Sequence, residues 1–292
     1  MEREPTLEGK TAEQQDLRQG LHSMWAAVAT GWGEHADFVD RRGRALTDEL
    51  LDLAAPRPGE RVLELACGPG GLGLAAAERV GPSGAVVLSD VAAEMTAIAA
   101  QRAAARKLDN VTTAVLDIEH IDQPDASYDV VLCREGLMFA LDPGQAAREI
   151  RRVLRPGGRL ALAVWGPRER NPWLGTVLDS VSAQIGAPVP PPGIPGPFAL
   201  EDATKLGALL EEAGLRDVTV NEVSVPLEVD SFEEWWRRTT ALAGPLAKML
   251  ELLPEDATRE LEGRARDAVK PYETPTGLEF PGVTLVAAAT VG

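Results

Sequence analysis

The sequence predicts an α/β protein built on a mostly parallel sheet with helices on both faces. Short apolar runs alternate with helical patterns between residues 61 and 165, as expected for parallel strands that are connected by helices. Proline and glycine clusters separate these runs. At 292 residues, of which 45% are hydrophobic, the chain is also long enough to bury a large core.

Each element of this stretch has a local signal. Apolar runs predict five strands, over residues 61–66, 85–90, 110–117, 128–133 and 159–165. Helices are predicted from a glycine loop to about residue 80, over 92–107 and over 142–154. Pro156-Gly157-Gly158 is expected to end the last of these helices and to lead into the fifth strand.

The flanking regions are less regular. Residues 1 to about 20 lack strong periodicity and are expected to form a mobile arm. Further helices are predicted over residues 21–55, 172–186, 202–213 and 231–269, the last interrupted near Pro254, and further strands over 217–229 and 284–291. The proline-rich stretch 188–197 predicts a stiff loop. We therefore divide the chain into an N-terminal arm with helices (1–55), a core (56–166) and a remainder (167–292) with a helical insertion at about 228–280.

Composition excludes several classes of partner. The net charge of −16 repels phosphate backbones and anionic lipids, so neither nucleic acid nor membrane partners are expected. The polar N-terminus carries no secretory signal, and no apolar run is long enough to span a bilayer, which predicts a cytoplasmic protein. Two cysteines, Cys67 and Cys133, and histidines that are not spaced as ligands predict no disulfide scaffold and no metal site.

A glycine-rich loop, Gly68-Pro69-Gly70-Gly71-Leu72-Gly73, directly follows the first strand and opens the next helix. Its backbone N–H groups are expected to face a crevice at the carboxyl edge of the sheet, where open parallel sheets bind nucleotides. Glycines let a ligand approach the backbone closely. The loop matches the pattern G-x-G-x-x-G. This pattern alone does not show which nucleotide-type cofactor binds, and it also occurs in tight turns that bind no ligand.

Three consecutive strands place a carboxylate at this edge. Glu64 lies inside the first strand, Asp90 ends the second, and Asp117 ends the third with Ile118 beside it. Glu64 would repel a pyrophosphate at the helix start, whereas S-adenosylmethionine carries no phosphate and two cationic groups. Asp90 is placed to bind ribose hydroxyls, and Asp117 to accept from an adenine amino group. Taken singly, Glu64 also suits a buried arginine, and each aspartate also suits a helix cap or turn.

Five segments together carry a family resemblance. They are VLELACGPGG (62–71), LSDVAAEM (88–95), VLDIE (115–119), YDVVLCREGLMF (128–139) and REIRRVLRPGGRLALAVW (148–165). This combination, covering about Arg61 to Trp165, resembles the successive motifs of class I S-adenosylmethionine-dependent methyltransferases. It is most similar to the branch that contains quinone-biosynthesis and natural-product enzymes. The resemblance implies a Rossmann-like, seven-stranded, mostly parallel sheet whose last strand is antiparallel, with 217–227 and 284–291 as strands six and seven.

The resemblance also implies a cofactor, S-adenosylmethionine, and the residues that bind it. These are Glu64, Ala66, Gly68, Pro69, Gly70, Asp90, Val91, Met95, Asp117, Ile118 and the backbone near Cys133. Ala66 stands where such proteins often have glycine, which tightens the site. The pair Asp109-Asn110 is similar to the magnesium-binding pair of catechol methyltransferases but precedes the third strand, so no metal is expected.

Aromatic residues in three variable pieces predict where a methyl acceptor binds. The pieces are the N-terminal helices, the 167–200 segment and the 228–270 insertion. The candidate pocket residues are Trp25, Trp32, Met138, Phe139, Trp235 and Trp236. They favour a small hydrophobic acceptor, such as an aromatic, quinone-, phenol- or polyketide-like compound, although the same residues also suit simple packing of a lid on the core. Chemistry and rough location alone suggest His120, Glu135 or His35 as a general base.

The predicted function is therefore methyl transfer from S-adenosylmethionine to a small molecule, by a monomer or homodimer. Two alternatives remain open at this point. The glycine pattern is compatible with an NAD(P)-dependent oxidoreductase, although the chain lacks an obvious Tyr-x-x-x-Lys pair. A non-catalytic, cofactor-binding protein of the same fold is the other. The sequence does not indicate which atom is methylated.

Overall fold

The computed structural model describes the backbone of residues 7–244, 250 and 253–292, and side chains from residue 16 onward within these ranges. The helices described are α1 (Leu7–Glu34), α2 (Ala36–Arg42), α3 (Arg44–Ala54), α4 (Gly71–Val80), α5 (Ala93–Ala105), α6 (Pro143–Val153), α7 (Pro172–Ile185), α8 (Ala203–Glu212), α9 (Phe232–Leu242) and α10 (Glu255–Val269). The strands described are β1 (Arg61–Leu65), β2 (Ala85–Asp90), β3 (Val111–Val115), β4 (Tyr128–Arg134), β5 (Leu154–Trp165), β6 (Arg216–Ser224), β7 (Leu227–Val229), β8 (Glu273–Thr274), β9 (Gly277–Phe280) and β10 (Val283–Thr290).

Seven of these strands form one sheet in the order β3-β2-β1-β4-β5-β10-β6. β1 pairs in parallel with β2 and β4, and the outer pairs β2–β3 and β4–β5 are parallel as well. β10 is antiparallel to both β5 and β6. This confirms the predicted seven-stranded, mostly parallel sheet with an antiparallel last strand.

The alternation of side chains along the central strands explains why helices cover both faces. Leu63 and Leu65 of β1 belong to a core cluster on one face, which includes residues of α6 and α8. Val62 belongs to the cluster on the other face, with residues of α3, α4 and α5. Because alternate residues of a strand share a face, Glu64 points to the same side as Val62, toward α4.

Several element boundaries differ from the predictions. Residues 7–20 are part of α1, so the predicted arm is wrong from Leu7 onward, and residues 1–6 lie outside the described ranges. Strand β3 ends at Val115, so Asp117 lies two residues beyond it. Strand β5 begins at Leu154, which pairs with Tyr128 of β4. The Pro-Gly-Gly segment forms an irregularity in the pairing, which resumes with Arg159 opposite Val130.

The insertion after β6 is not purely helical. The predicted strand 217–229 is two strands, because Pro226 has no N–H to continue the ladder. β7 then leaves the main sheet and forms a separate three-stranded sheet in the order β7-β9-β8. The predicted helix 231–269 is divided into α9 and α10, and its residues 245–249 and 251–252 lie outside the described ranges.

A separate apolar cluster joins this insertion to α7. Trp235 of α9 and Phe280 of β9 are fully buried there, with Val181 of α7 and Leu261 of α10. The ring centroids of Trp235 and Phe280 lie 5.4 Å apart. The insertion is therefore a small packed layer with its own core, which fixes the aromatic side chains of α9.

Candidate active site

The carboxyl ends of the parallel strands open on a cavity of about 370 Å³. Each of β1, β2, β4 and β5 contributes to its lining at or near its last residue, through Glu64, Asp90, Arg134 and Trp165. This is the edge at which open parallel sheets bind ligands, because strand ends and loops converge there. The opposite wall comes from α1, α2, α7, α9 and the proline-rich loop.

Asp90 holds the glycine loop. Its Oδ2 accepts a hydrogen bond from the Gly68 N–H at 2.9 Å, and its Oδ1 accepts from the Ala92 N–H at 3.0 Å. Burial raises the pKa of Asp90, while these backbone hydrogen bonds oppose the rise. Gly68 has a φ of 51°, which lets the chain turn back toward the carboxylate. Asp90 therefore fixes the loop while its side chain lines the cavity.

Glu64 limits the space at Gly73, the third glycine of the G-x-G-x-x-G pattern. Its Oε2 accepts a hydrogen bond from the Gly73 N–H at 2.9 Å. A Cβ atom on Gly73 would lie 2.4 Å from that oxygen and 2.1 Å from Leu88 Cδ2, so a larger residue would have to displace these side chains. Glu64 is 2% exposed, and burial raises its pKa to about 8, although the nearby Arg134 opposes the rise. The site thus contains a buried carboxyl group that a cationic ligand would ionise.

Asp117 has a partner that the sequence did not indicate. Its Oδ2 accepts from Arg18 Nη1 at 2.5 Å, and its Oδ1 accepts from the Glu119 N–H at 2.8 Å. Arg18 also donates to Glu119 through Nη2 at 2.7 Å. These ion pairs attach α1 to the loop after β3. Arg18 is 99 residues from Asp117 in sequence and matches no motif, so only the packing of α1 reveals it.

A second arginine braces the glycine loop from outside. Arg102 of α5 donates to the Pro69 carbonyl at 2.8 Å and to Asp40 of α2 at 2.5 Å. A Cβ atom on Gly71 would lie 1.9 Å from Asp40 Oδ1, which shows how closely α2 approaches the loop. Neither Arg102 nor Asp40 was expected from the sequence, because their pairing depends on the position of α2.

Aromatic rings line much of the cavity, and Trp32 reaches the glycine loop, where a Cβ atom on Gly68 would lie 3.8 Å from its ring. Trp25 contacts Trp32 and Phe139 edge to face, with ring centroids 6.4 and 4.9 Å away. Trp165 and Trp173 form another edge-to-face pair at 5.1 Å. Trp235 donates through Nε1 to the Trp173 carbonyl at 3.1 Å, which ties α9 to α7.

Most of the residues expected at the site line the cavity. From the cofactor set these are Glu64, Ala66, Gly68, Pro69, Asp90, Val91, Met95, Asp117 and Ile118. From the acceptor set they are Trp25, Trp32, Phe139 and Trp235, and from the candidate bases Glu135. Six lie outside the lining, namely Gly70, Cys133, Met138, Trp236, His35 and His120.

Four of these six residues lie in the core, in the insertion or before α4. Met138 and Cys133 are fully buried in the core beneath the site, and burial raises the pKa of the Cys133 thiol to about 12. Trp236 stacks on Phe232 within the insertion. Gly70 directly precedes α4 and has a φ of 82°, and a Cβ atom there would lie 2.9 Å from Leu88 Cδ1.

Of the three candidate bases, Glu135 lines the cavity and the two histidines do not. His120 is exposed beside Asp117, and His35 precedes α2, so neither faces the cavity. Glu135 follows β4 with a φ of 60° and lines the cavity. Burial raises the pKa of Glu135, while Arg134 and Arg42 oppose the rise. A carboxylate with a raised pKa is a better proton acceptor than an ordinary one.

Comparison with known proteins agrees with this geometry. Residues 56–179 match the family model described as a methyltransferase domain. The chain is 32% identical over 191 residues to a nocamycin O-methyltransferase of Saccharothrix syringae, covering 60% of this chain and 68% of that protein. It is 37% identical over 139 residues to a ubiquinone/menaquinone biosynthesis C-methyltransferase UbiE of Ralstonia pickettii, covering 42% of this chain and only 56% of that protein.

A solved structure shows the same fold at lower identity. The S-adenosylmethionine-dependent methyltransferase of Aquifex aeolicus superposes with a TM-score of 0.52 at 19% identity, covering 84% of this chain and 89% of that one. The fold and the site define a Rossmann-like methyltransferase. The chain belongs to the class I S-adenosylmethionine-dependent methyltransferases, and the comparisons do not favour an oxidoreductase.

The residues at the strand edge fit this cofactor. The sulfonium and ammonium groups of S-adenosylmethionine are cationic, and the buried Glu64 and Asp90 carboxyl groups both line the cavity. Over the ranges that the structure describes, no three histidine, cysteine or acidic residues are grouped to hold a metal ion. Within the same ranges, no helix combines the length and the apolar character needed to cross a membrane.

Proposed function

We propose that this methyltransferase acts on a small, hydrophobic acceptor with an aromatic, quinone-, phenol- or polyketide-like skeleton. The observation that carries the proposal is the division of one cavity into two unlike halves. Carboxylates and a glycine loop lie at the strand edge, and tryptophan, phenylalanine and proline side chains line the other wall. Apolar walls with few polar groups are typical of sites that enclose small organic molecules.

In this proposal the strand edge binds the cofactor. Glu64 accepts from the cofactor's amino group, Asp90 from the ribose hydroxyls and Asp117 from the adenine amino group. Val91, Met95 and Ile118 contact the apolar ring faces, while Ala66, Gly68 and Pro69 shape the loop beside them. Backbone groups near Gly70 and Cys133 complete the set in this proposal. The bound cofactor supplies an electrophilic methyl group on a sulfonium.

Glu135 is the proposed proton acceptor. With the cofactor bound, an acceptor group that carries a proton would have to release it as it takes up the methyl group. The Glu135 carboxylate faces the cavity, and its raised pKa suits it to take that proton. Positioning the two reactants and excluding water supply the rest of the rate enhancement.

The named relatives support the acceptor class. One is named for a natural product and the other for quinone biosynthesis. A net charge of −16 makes a nucleic acid acceptor a poor electrostatic match. Whether the protein acts as a monomer or a homodimer stays a prediction, as does its cytoplasmic location.

A labelled-methyl assay tests this function. S-adenosylmethionine carrying a 14C-methyl group is incubated with 2-naphthol, 1,4-naphthalenediol, glycine or a short DNA duplex. We expect label in a naphthalene product, and at least tenfold less transfer with Glu135→Gln. An exposed carboxylate provides the control, because Glu212→Gln lies on α8 away from the cavity and should leave transfer unchanged. Transfer to glycine or DNA with none to either naphthalene would overturn the proposal.

A further inference from the structure

Four arginines line the cavity, and they differ in their partners. Three have a carboxylate within 4.0 Å, and these pairs are Arg18–Asp117 at 2.5 Å, Arg134–Asp40 at 3.8 Å and Arg238–Glu234 at 2.7 Å. Arg42, the last residue of α2, forms no such pair with any residue in the described ranges. Its charge is the one in this lining that the described carboxylates do not neutralise at close range.

The guanidinium of Arg42 lies among aromatic rings. Its Cζ is 4.2 Å from the Trp173 ring centroid and 5.1 Å from that of Trp165. Its Nη2 donates a long hydrogen bond of 3.4 Å to the Val225 carbonyl. Its Nε is buried and has no hydrogen-bond partner among the described residues. Leaving a buried, charged donor unpaired costs free energy, which indicates a ligand atom as the partner.

The surroundings keep Arg42 charged and able to bind an anion. Burial lowers its pKa to about 10, so the guanidinium remains protonated at neutral pH. Glu135 is the carboxyl group whose charge raises the pKa of Arg42, although the two side chains form no ion pair within 4.0 Å. Aromatic walls lower the local dielectric constant, which strengthens any charge-assisted hydrogen bond formed there.

We propose that Arg42 binds an anionic oxygen of the methyl acceptor, such as a carboxylate, phenolate or enolate oxygen attached to its apolar skeleton. Arg42 is then a specificity-determining residue that selects acidic acceptors over neutral ones of the same shape. This inference rests on the proposed function, because it assigns a chemical feature to the acceptor of that same site. Arginine suits the role, since its planar donors remain charged while its faces stack on aromatic rings.

A matched pair of probes tests this inference. Calorimetry measures the binding of 2-naphthoate and of 2-naphthylmethanol, which share a ring system and differ in charge, with and without saturating S-adenosylhomocysteine. The native protein should bind the carboxylate at least tenfold more tightly than the alcohol. Arg42→Met should abolish this preference without weakening the binding of the alcohol. Arg238→Met is the control, because Arg238 lines the same cavity and its Nε also lacks a partner among the described residues, but its guanidinium already forms an ion pair with Glu234. This variant should keep the preference.

Several results would overturn the inference. They are equal or weaker binding of the carboxylate by the native protein, failure of both probes to bind it, and a preference that survives in Arg42→Met. Arg42→Gln, which is polar but uncharged, is used if the methionine variant does not fold, and a preference as large as that of the native protein would then overturn the inference. Binding of S-adenosylhomocysteine separates the two proposals. If it does not bind, the assigned cofactor site fails, whereas if it binds and the probes do not differ, only this inference fails.

Discussion

The two halves of the cavity are held in different ways. At the strand edge, hydrogen bonds to backbone N–H groups fix Glu64 and Asp90. These bonds join residues that are 9, 22 and 2 positions apart, all within or directly after the β1–α4–β2 unit. Across the cavity, the rings of α1, α7 and α9 are held by contacts between distant segments. The Trp32 Nε1 donates to the Leu242 carbonyl 210 residues away, and Trp235 contacts Trp173 in the same manner.

This difference matches two different tasks, which are binding a cofactor of fixed shape and binding a methyl acceptor. A cofactor of fixed shape needs carboxylates and a loop at fixed positions, and a strand–turn–helix unit provides them locally. An acceptor pocket depends on how several helices pack, so its shape changes with any of them. We therefore expect substitutions at the strand edge to remove cofactor binding, and substitutions on the helical wall to change affinity in smaller steps.

The largest effect is expected from Asp90→Ala. The substitution removes both backbone hydrogen bonds that hold the glycine loop and the proposed acceptor for the ribose hydroxyls. Hydrogen bonds to a charged group contribute about 1.5–3 kcal/mol each, so the dissociation constant of S-adenosylhomocysteine should rise by at least ~100-fold in calorimetry. Asp52→Ala is the matched control, because that side chain is 71% exposed and forms a surface pair with Arg79. A change below about threefold for Asp90→Ala would refute its assigned role.

Substitutions of two glycines compare the glycine loop with an outer helix by their effects on the free energy of unfolding. Gly73→Ala forces a Cβ atom against Leu88 and Glu64, so we expect a loss of about 1–3 kcal/mol in unfolding free energy. Gly207 lies in the middle of α8, and a Cβ atom there would lie 3.7 Å from Val220 of β6, which is an ordinary contact. Because glycine is unfavourable inside a helix, Gly207→Ala should stabilise the protein by about 0.5–1 kcal/mol. Urea denaturation measures both. Equal effects of the same sign would show that close approach at Gly73 does not constrain the loop.

The buried carboxyl group of Glu64 predicts a pH dependence. Its pKa is raised to about 8, so the folded protein favours the protonated form. The stabilisation is complete below the ordinary carboxyl pKa and is lost as the pH rises toward 8. The unfolding free energy of the native protein, measured relative to Glu64→Gln, should therefore fall between pH 5 and 8 by at most about 1.4 kcal/mol per pH unit. A difference that does not change with pH would contradict this assignment.

The smallest effect is expected where the helical wall meets the strand edge. Arg18→Met removes the ion pairs that attach α1 to Asp117 and Glu119. Partly exposed ion pairs contribute roughly 0.2–1 kcal/mol each, so the loss of both should make S-adenosylhomocysteine dissociate about two- to thirtyfold faster in stopped-flow measurements. Arg79→Met, which removes a surface pair with Asp52, is the control and should leave the rate unchanged. Unchanged dissociation in Arg18→Met would mean that α1 does not retain the cofactor.

The sequence predicted the local half of the site better than the distant half. The positions of Glu64, Asp90 and the glycine loop follow from strand ends that apolar runs make visible. Arg18 and Asp40 were missed because their partners lie 99 and 62 residues away, and neither distance leaves a periodic signal. The same reason explains Arg42, whose environment of two tryptophans exists only once α2 and α7 meet.

The fold, too, was predicted best where the sequence carries a local, repeating signal. The seven-stranded, mostly parallel sheet with an antiparallel last strand was confirmed, because parallel strands and connecting helices alternate along the chain. The three-stranded sheet was missed, since β8 and β9 span two and four residues and give no recognisable alternation. The helical start of α1 was missed because residues 7–20 show little apolar periodicity.

The most direct test of the division of the cavity is a crystal structure with S-adenosylhomocysteine bound. The account predicts the ribose at Asp90, the amino group beside Glu64, and the sulfur facing Glu135 and the aromatic wall. A ribose bound away from Asp90, or a sulfur facing away from Glu135, would contradict it.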